Sequence, residues 1–221
     1  AFLDIESEGT EPNLTVNAGI DEPEPGLIGA ILKIRAPLSM SFKGYGLITD
    51  WNGDLALNAD KTIEIDAHVA MQTLDALNMN ISGTAELGQS FNSAPWYGFL
   101  DRSNRFNIQC HLKNNKNLFL DRATVESGNT HLELNAVMDI RKLIAEGAFK
   151  INLKDISGLR NVIKQECSGE LLMEGKFKGH VASPSADITL KVTDFDSNII
   201  SADEFRASAL VEFTTPQASS S

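Results

Sequence analysis

A chain of 221 residues with 42% hydrophobic and 22% charged residues has the apolar content of a folded protein, and the length of one elongated domain or two small ones. Its net charge of −11 argues against nucleic acid, whose affinity comes mainly from Lys and Arg at phosphates, and against adhesion to an anionic membrane surface. The longest apolar run, around Leu27 to Ile34, is broken by Lys33 and is too short to cross a bilayer; no basic segment leads into an apolar one at the amino terminus, so no signal peptide is expected.

From the amino terminus onward the sequence keeps a period of two. Leu14, Val16 and Ala18 start it, then Leu38, Met40, Phe42 and Gly44, then Leu55, Leu57 and Ala59. Ile63, Ile65, Ala67, Val69 and Met71 are answered by Leu77, Met79, Ile81, Gly83, Ala85 and Leu87. Phe106, Ile108, Cys110 and Leu112 follow, then Leu118 and Leu120, then Leu132, Leu134, Ala136, Met138 and Ile140. Ala145, Gly147, Phe149, Ile151 and Leu153 precede CSGELLMEGKFKGHV (Cys167 to Val181), where one phase is Cys, Gly, Leu, Met, Gly, Phe, Gly, Val. Ile188, Leu190 and Val192, then Phe205, Ala207, Ala209, Val211 and Phe213, close the series. Alternation of this kind specifies strands with one dry and one wet face. The glycines in the dry phase suggest bends or bulges. WNGD, ESGN and SPSA carry turn chemistry between runs. The expected fold is mostly β: one long antiparallel curled sheet with a few short helices.

Those helices are expected where the beat stops. Gly26 to Arg35 has Leu27, Ile28, Ile31 and Leu32 at helical spacing before Pro37. Ser93 to Ser103 has Pro95 in a first turn, then Trp96, Phe99 and Leu100. Asp155 to Gln165 puts Ile156, Leu159, Val162 and Ile163 on one stripe behind a cap at Asp155 or Ser157. The chain reads as a single elongated domain over 1–213. Residues 1–26, ending in DEPEPG, are a possible end of a preceding unit ahead of 27–213, and 214–221 are expected to be a disordered tail. It starts in mid-pattern and reads as a fragment of something larger.

No catalytic constellation emerges. His68, His111, His131 and His180 all fall in the wet phase, opposite Cys110 and Cys167, and no CxxC or HxxxH spacing occurs, so no metal site is expected. No nucleophile elbow, phosphate loop or dinucleotide fingerprint is present, and neither enzymatic activity nor a cofactor is expected. The two cysteines are expected to be buried free thiols. Trp51, Trp96, Tyr97 and Phe99 anchor a turn and a helix, or form an aromatic binding cluster.

The dry face is the informative feature. A sheet of roughly ten strands would run about 50 Å along its hydrogen-bonding direction. Either it folds over on itself or part of its apolar surface stays open, and an open stripe of that length needs a ligand or partner. A continuous hydrocarbon slot points to acyl chains. The residues expected to line it are Met40, Phe42, Leu57, Ile63, Ile65, Val69, Met79, Ile81, Phe106, Ile108, Leu132, Leu134, Phe149, Ile151, Leu171, Met173, Phe177 and Leu190.

Two stretches carry a family resemblance. PLSMSFKGYGLITDWNGDLAL (Pro37 to Leu57) resembles a recurrent segment of the TamB family, the inner-membrane-anchored subunits of the bacterial translocation and assembly module. GAFKINLKDISGL (Gly147 to Leu159), running into SGELLMEGKFKGHVASPSADITLKVTDF (Ser168 to Phe195), is similar to that family's repeat: a strand, a helix opening on Asp, a glycine-bounded strand, then a small-residue and proline turn. AsmA-like proteins and the eukaryotic bridge-like lipid transfer proteins are broader relatives. The likeness covers about Ile34 to Phe213, without the family's membrane anchor or its region for an outer-membrane partner. It implies a taco-like sheet with an apolar groove and a periplasmic location. It also implies outer-membrane biogenesis through phospholipid movement, with the parent protein anchored in the inner membrane and partnered by the barrel protein TamA. Two rival functions are delivery of unfolded barrel proteins or autotransporters by strand pairing, and a β-helical carbohydrate-active enzyme or adhesin.

Overall fold

The computed structural model describes residues 2–8, 13–23, 36–47, 49–60, 62–73, 75–88, 100–114, 116–160 and 164–212. They form thirteen strands: β1 (Phe2–Glu8), β2 (Asn13–Glu22), β3 (Leu38–Leu47), β4 (Asp50–Ala59), β5 (Ile63–Thr73), β6 (Leu77–Leu87), β7 (Ser103–Lys113), β8 (Asn117–Glu126), β9 (Thr130–Asp139), β10 (Ile144–Leu153), β11 (Cys167–His180), β12 (Ser183–Ser197) and β13 (Ser201–Glu212). Each pairs antiparallel with its neighbours in sequence, in one curled sheet that stays open at β1 and β13 instead of closing into a barrel. At the usual strand spacing it extends roughly 60 Å along the hydrogen bonds. A β-helix needs parallel strands, so the β-helical rival does not describe this fold.

Register carries the two-residue beat from strand to strand. One row of directly opposed residues crosses the whole sheet: Leu3, Ala18, Phe42, Leu55, Ala67, Gly83, Phe106, Val125, Leu132, Ile151, Met173, Leu190 and Ala207. Every member is apolar or glycine. A second row reads Asp4, Asn17, Lys43, Asp54, His68, Ser82, Asn107, Thr124, Glu133, Lys150, Glu174, Thr189 and Ser208. Every member of that row is polar. Opposed residues share a face, so the two rows mark an apolar face and a polar face running the full length of the sheet.

Two irregularities keep the phase. In β8 the register shifts between Leu120 and Ala123, so Asp121 and Arg122 are taken up together and the apolar phase passes from Leu118 and Leu120 to Ala123 and Val125. In β11 and β12 the shift lies between Ser168 and Glu170, where Gly169 has φ +130° and Asp194 φ 51°. Gly169 adopts that backbone without the cost a side chain would bring.

Other glycines on the apolar face make room for rings. A Cβ on Gly44 or Gly53 would overlap the Trp51 indole, which is 1% exposed and donates from Nε1 to the Leu14 carbonyl at 3.0 Å. Gly175 on β11 likewise lies under Phe149 of β10, and Gly147 on β10 under Phe177 of β11. At these positions the apolar layer is built from aromatic rings laid over glycines of the same or the neighbouring strand. WNGD is therefore no turn: Trp51 to Asp54 lie inside β4, and Gly53 is there to seat the indole. SPSA likewise opens β12, whereas ESGN does form the β8–β9 turn.

The connections are unequal at the two rims. The rim where odd-numbered strands begin holds the long ones, at 23–37, 88–102 and 154–166; the opposite rim, from β3–β4 to β11–β12, holds turns of two to four residues. Of the expected helices, Gly26 to Arg35 lies outside the described residues. Leu100 to Arg102 form a bend and Ser103 is already in β7, while the rest of that segment is outside the described residues. In the third, Ser157–Leu159 is a 3-10 turn, and Lys164 N–H donates to the Arg160 carbonyl at 2.8 Å. Ile156 and Leu159 pack with Leu153, Cys167, Leu171 and Val192 in a buried cluster on the apolar face.

Trp51 bridges three strands from one side chain. Replacing it with Ala should lower stability by about 3–5 kcal/mol, read from the midpoint of urea unfolding with the slope unchanged.

Candidate functional site

All eighteen residues expected to line the slot fall on the apolar face. Leu57, Val69 and Leu171 are buried; the other fifteen are half-buried, and none is exposed. The face also includes residues that the alternation did not flag: Leu3 and Ile5 of β1, Trp51 and Gly53 of β4, Ala123 and Val125 of β8, and Ala186 of β12. Leu3 and Ile5 at one edge and Phe205 at the other are 68%, 58% and 53% exposed, so the apolar face is uncovered at both ends of the sheet.

Cover is concentrated at the rim of long connections. Leu38, Ala59, Leu87, Asn104, Thr130, Leu153 and Cys167 are all buried there, one from each of seven strands. Hydrogen bonds tie the connections into a belt. Gly88 N–H donates to the Thr62 carbonyl at 2.8 Å, and Leu87 N–H to Arg102 at 2.7 Å. Asn129 N–H donates to Asp101 Oδ2 at 3.1 Å. The Asn129 amide then pairs with the Asp155 backbone in both directions at 2.8 Å, and Ile156 N–H donates to the Gly169 carbonyl at 3.0 Å. Asp155 is itself fixed by the hydroxyl and N–H of Ser157, and these bonds hold its carboxyl below the usual carboxylate range.

Cys110 and Cys167 are buried free thiols on the apolar face. Burial raises both thiol pKa values, with a further push from Asp121 on Cys110 and from Asp155 on Cys167. Neither is poised as a nucleophile.

The histidines sit on the polar face: His68 and His180 exposed, His111 and His131 half-buried. Three of them meet a carboxylate on the neighbouring strand. His68 Nδ1 lies 2.9 Å from Asp54, His111 Nδ1 2.7 Å from Asp121, and His131 Nδ1 3.5 Å from Glu126. His111 also stacks on Phe119 with ring centroids 4.5 Å apart. These are two-partner rungs, and among the described residues no three His, Cys, Asp or Glu side chains gather as a metal set would require. Of the aromatic cluster, Trp51 belongs to the apolar face; Trp96, Tyr97 and Phe99 lie outside the described residues.

The polar face is not flat. A hollow of about 760 Å³ spans β8 to β13, with Phe119, Val137, Ala148 and Leu210 among Asp121, Glu146, Lys176, Lys178 and Asp187. Two further hollows, of about 740 and 550 Å³, adjoin the same strands. All three mix charged with apolar lining residues. A long apolar surface thus occupies one face, and hollows of mixed lining the other.

With both thiols buried on the apolar face, a water-soluble thiol reagent should label Cys110 and Cys167 slowly in folded protein and rapidly after denaturation; equal rates in the two states would invert the assignment of faces. No family model matches the chain, and no curated protein or solved structure matches it.

Proposed function

We propose that the chain is a segment of a non-enzymatic conduit in which phospholipid acyl chains lie along the apolar face while their headgroups stay in water. The observation that carries this reading is the unbroken thirteen-residue apolar row across every strand of the sheet. Moving an acyl chain of about sixteen methylenes into water costs roughly 12 kcal/mol. A path for such a chain works only if each step along it offers apolar contact, and the row offers one at every strand. Elsewhere on the face, rings laid over Gly44, Gly53, Gly147 and Gly175 keep the floor apolar where a side chain is missing. Together with the TamB-like pattern, this supports a periplasmic segment of an inner-membrane-anchored parent that serves outer-membrane biogenesis with the barrel partner TamA.

A second reading has its own observation. β13 is an open edge twelve residues long, without proline, and so is suited to capture an extended strand. Unfolded outer-membrane barrel protein would then be the cargo.

A photo-crosslinking residue at Ile65, Ile81, Leu134, Phe149 or Leu171 in the full-length parent should capture phospholipid in cells, while the same residue at His68, Glu133, Lys150 or Glu170 should not. Ile65→Asp and Leu134→Arg should each block function at normal protein levels. Folding is checked separately by thermal unfolding, because a buried charge alone destabilises a sheet. Folded, abundant and fully functional charged variants would end the conduit reading, and crosslinks to barrel protein in place of lipid would promote the second.

A further inference from the structure

The net charge of −11 conceals a local reversal at the rim of short turns. The β7–β8 turn carries Lys113 and Lys116, and the β9–β10 turn carries Arg141 and Lys142. The two turns adjoin: Ile140 N–H donates to the Lys116 carbonyl at 2.9 Å. Asp139, the acid of these turns, is already engaged. Its Oδ1 accepts from the Arg141 and Lys142 N–H groups at 3.0 and 3.1 Å, and its Oδ2 lies 3.4 Å from Lys116 Nζ. Among the described residues, Lys113, Arg141 and Lys142 have no carboxylate within ion-pair distance. Glu146, Glu212 and Lys178 stand further along, around the neighbouring hollow on the polar face.

Beside these cations the rim exposes apolar side chains. Leu143, Ile144 and Val181 are 45%, 48% and 47% exposed, and Val181 N–H donates to the Leu143 carbonyl at 2.8 Å, joining this turn to the next. Leu143 has φ 54°, a left-handed backbone that Gly, Asn and Asp adopt readily and a bulky residue only at a cost. Asp60 and Asn114 fill the same role at their turns. Neither burial nor backbone preference accounts for a leucine at 143.

We propose that this rim docks on an anionic phospholipid bilayer. Lys113, Lys116, Arg141 and Lys142 meet headgroup phosphates, and Leu143, Ile144 and Val181 enter the interfacial layer, the pairing of cations and apolar side chains that surface-bound elements use. The site stands independently of what occupies the apolar face, so its failure leaves the conduit untouched.

Cosedimentation of the purified chain with vesicles tests it. Vesicles of phosphatidylglycerol and phosphatidylcholine should bind the chain and release it as salt rises, while phosphatidylcholine alone should bind weakly. Arg141→Gln with Lys142→Gln should weaken binding by roughly tenfold or more. Leu143→Asn should weaken it while leaving the thermal unfolding temperature unchanged or higher, which separates membrane contact from folding. Lys154→Gln with Arg160→Gln, at the opposite rim, should bind as wild type. Undiminished binding of either variant at 141–143, equal binding without phosphatidylglycerol, or an equal loss from the opposite-rim variant would overturn the proposal. So would tight capture by heparin with no vesicle binding.

Discussion

Register is the constraint on which the rest of the structure depends. In a sheet, a slip of one residue turns a strand's whole apolar set to the other face. Here twelve successive antiparallel pairings must all agree for one face to remain apolar. Short turns fix most pairings locally, and where a strand carries an extra residue, as at Asp121 and Arg122 of β8 or at Asp194 and Phe195 of β12 opposite Gly169, a bulge absorbs it without changing the face. The result is a long amphipathic sheet whose two faces differ chemically along their entire length.

Such a sheet must put its apolar face somewhere. This one covers it unevenly. Along the rim of long connections, Leu38, Leu87, Leu153 and Cys167 are buried, and the Asn129–Asp155 pairing fixes the chain just before Ile156 and Leu159, which seat on the face. Toward the other rim the cover thins: Leu77, on the same face, is 38% exposed. Trp51, Cys110 and Ala186 stay buried on that side, Trp51 by its own glycine seats and its bond to Leu14. One margin is therefore sealed by packing and hydrogen bonds, while the other is closed only by tight turns, and it is on this second margin that the cationic and apolar turn residues stand.

Much of this was legible in the sequence, for a physical reason: the two-residue beat is a direct consequence of strand geometry, so the runs from Leu14 to Val211 fall within strands, except that Ile140 and Val181, each the last of its run, lie in the turns that follow β9 and β11. What escaped has equally specific causes. Ala123 and Val125 fall out of phase with Leu118 and Leu120 in the sequence because the bulge lies between them. Asn-Gly is ordinarily a hairpin signal, yet at Asn52 and Gly53 the glycine serves a ring rather than a turn, a demand visible only once Trp51 and Gly44 are brought together across strands. β1 was missed because Phe2 to Glu8 alternates only at Leu3 and Ile5. The reversal of charge at one rim could not be seen either, since Lys113 and Lys116 lie far in sequence from Arg141 and Lys142 and meet only through the meander.

The central claim is that hydrocarbon chains occupy the apolar face. Native mass spectrometry of the protein purified without detergent tests it most directly. The account predicts retained adducts with the masses of diacyl phospholipids, lost when Leu134→Arg places a charge on the face of an otherwise folded protein. A chain that carries no lipid, or one whose lipid adducts are unaffected by that charge, would contradict it.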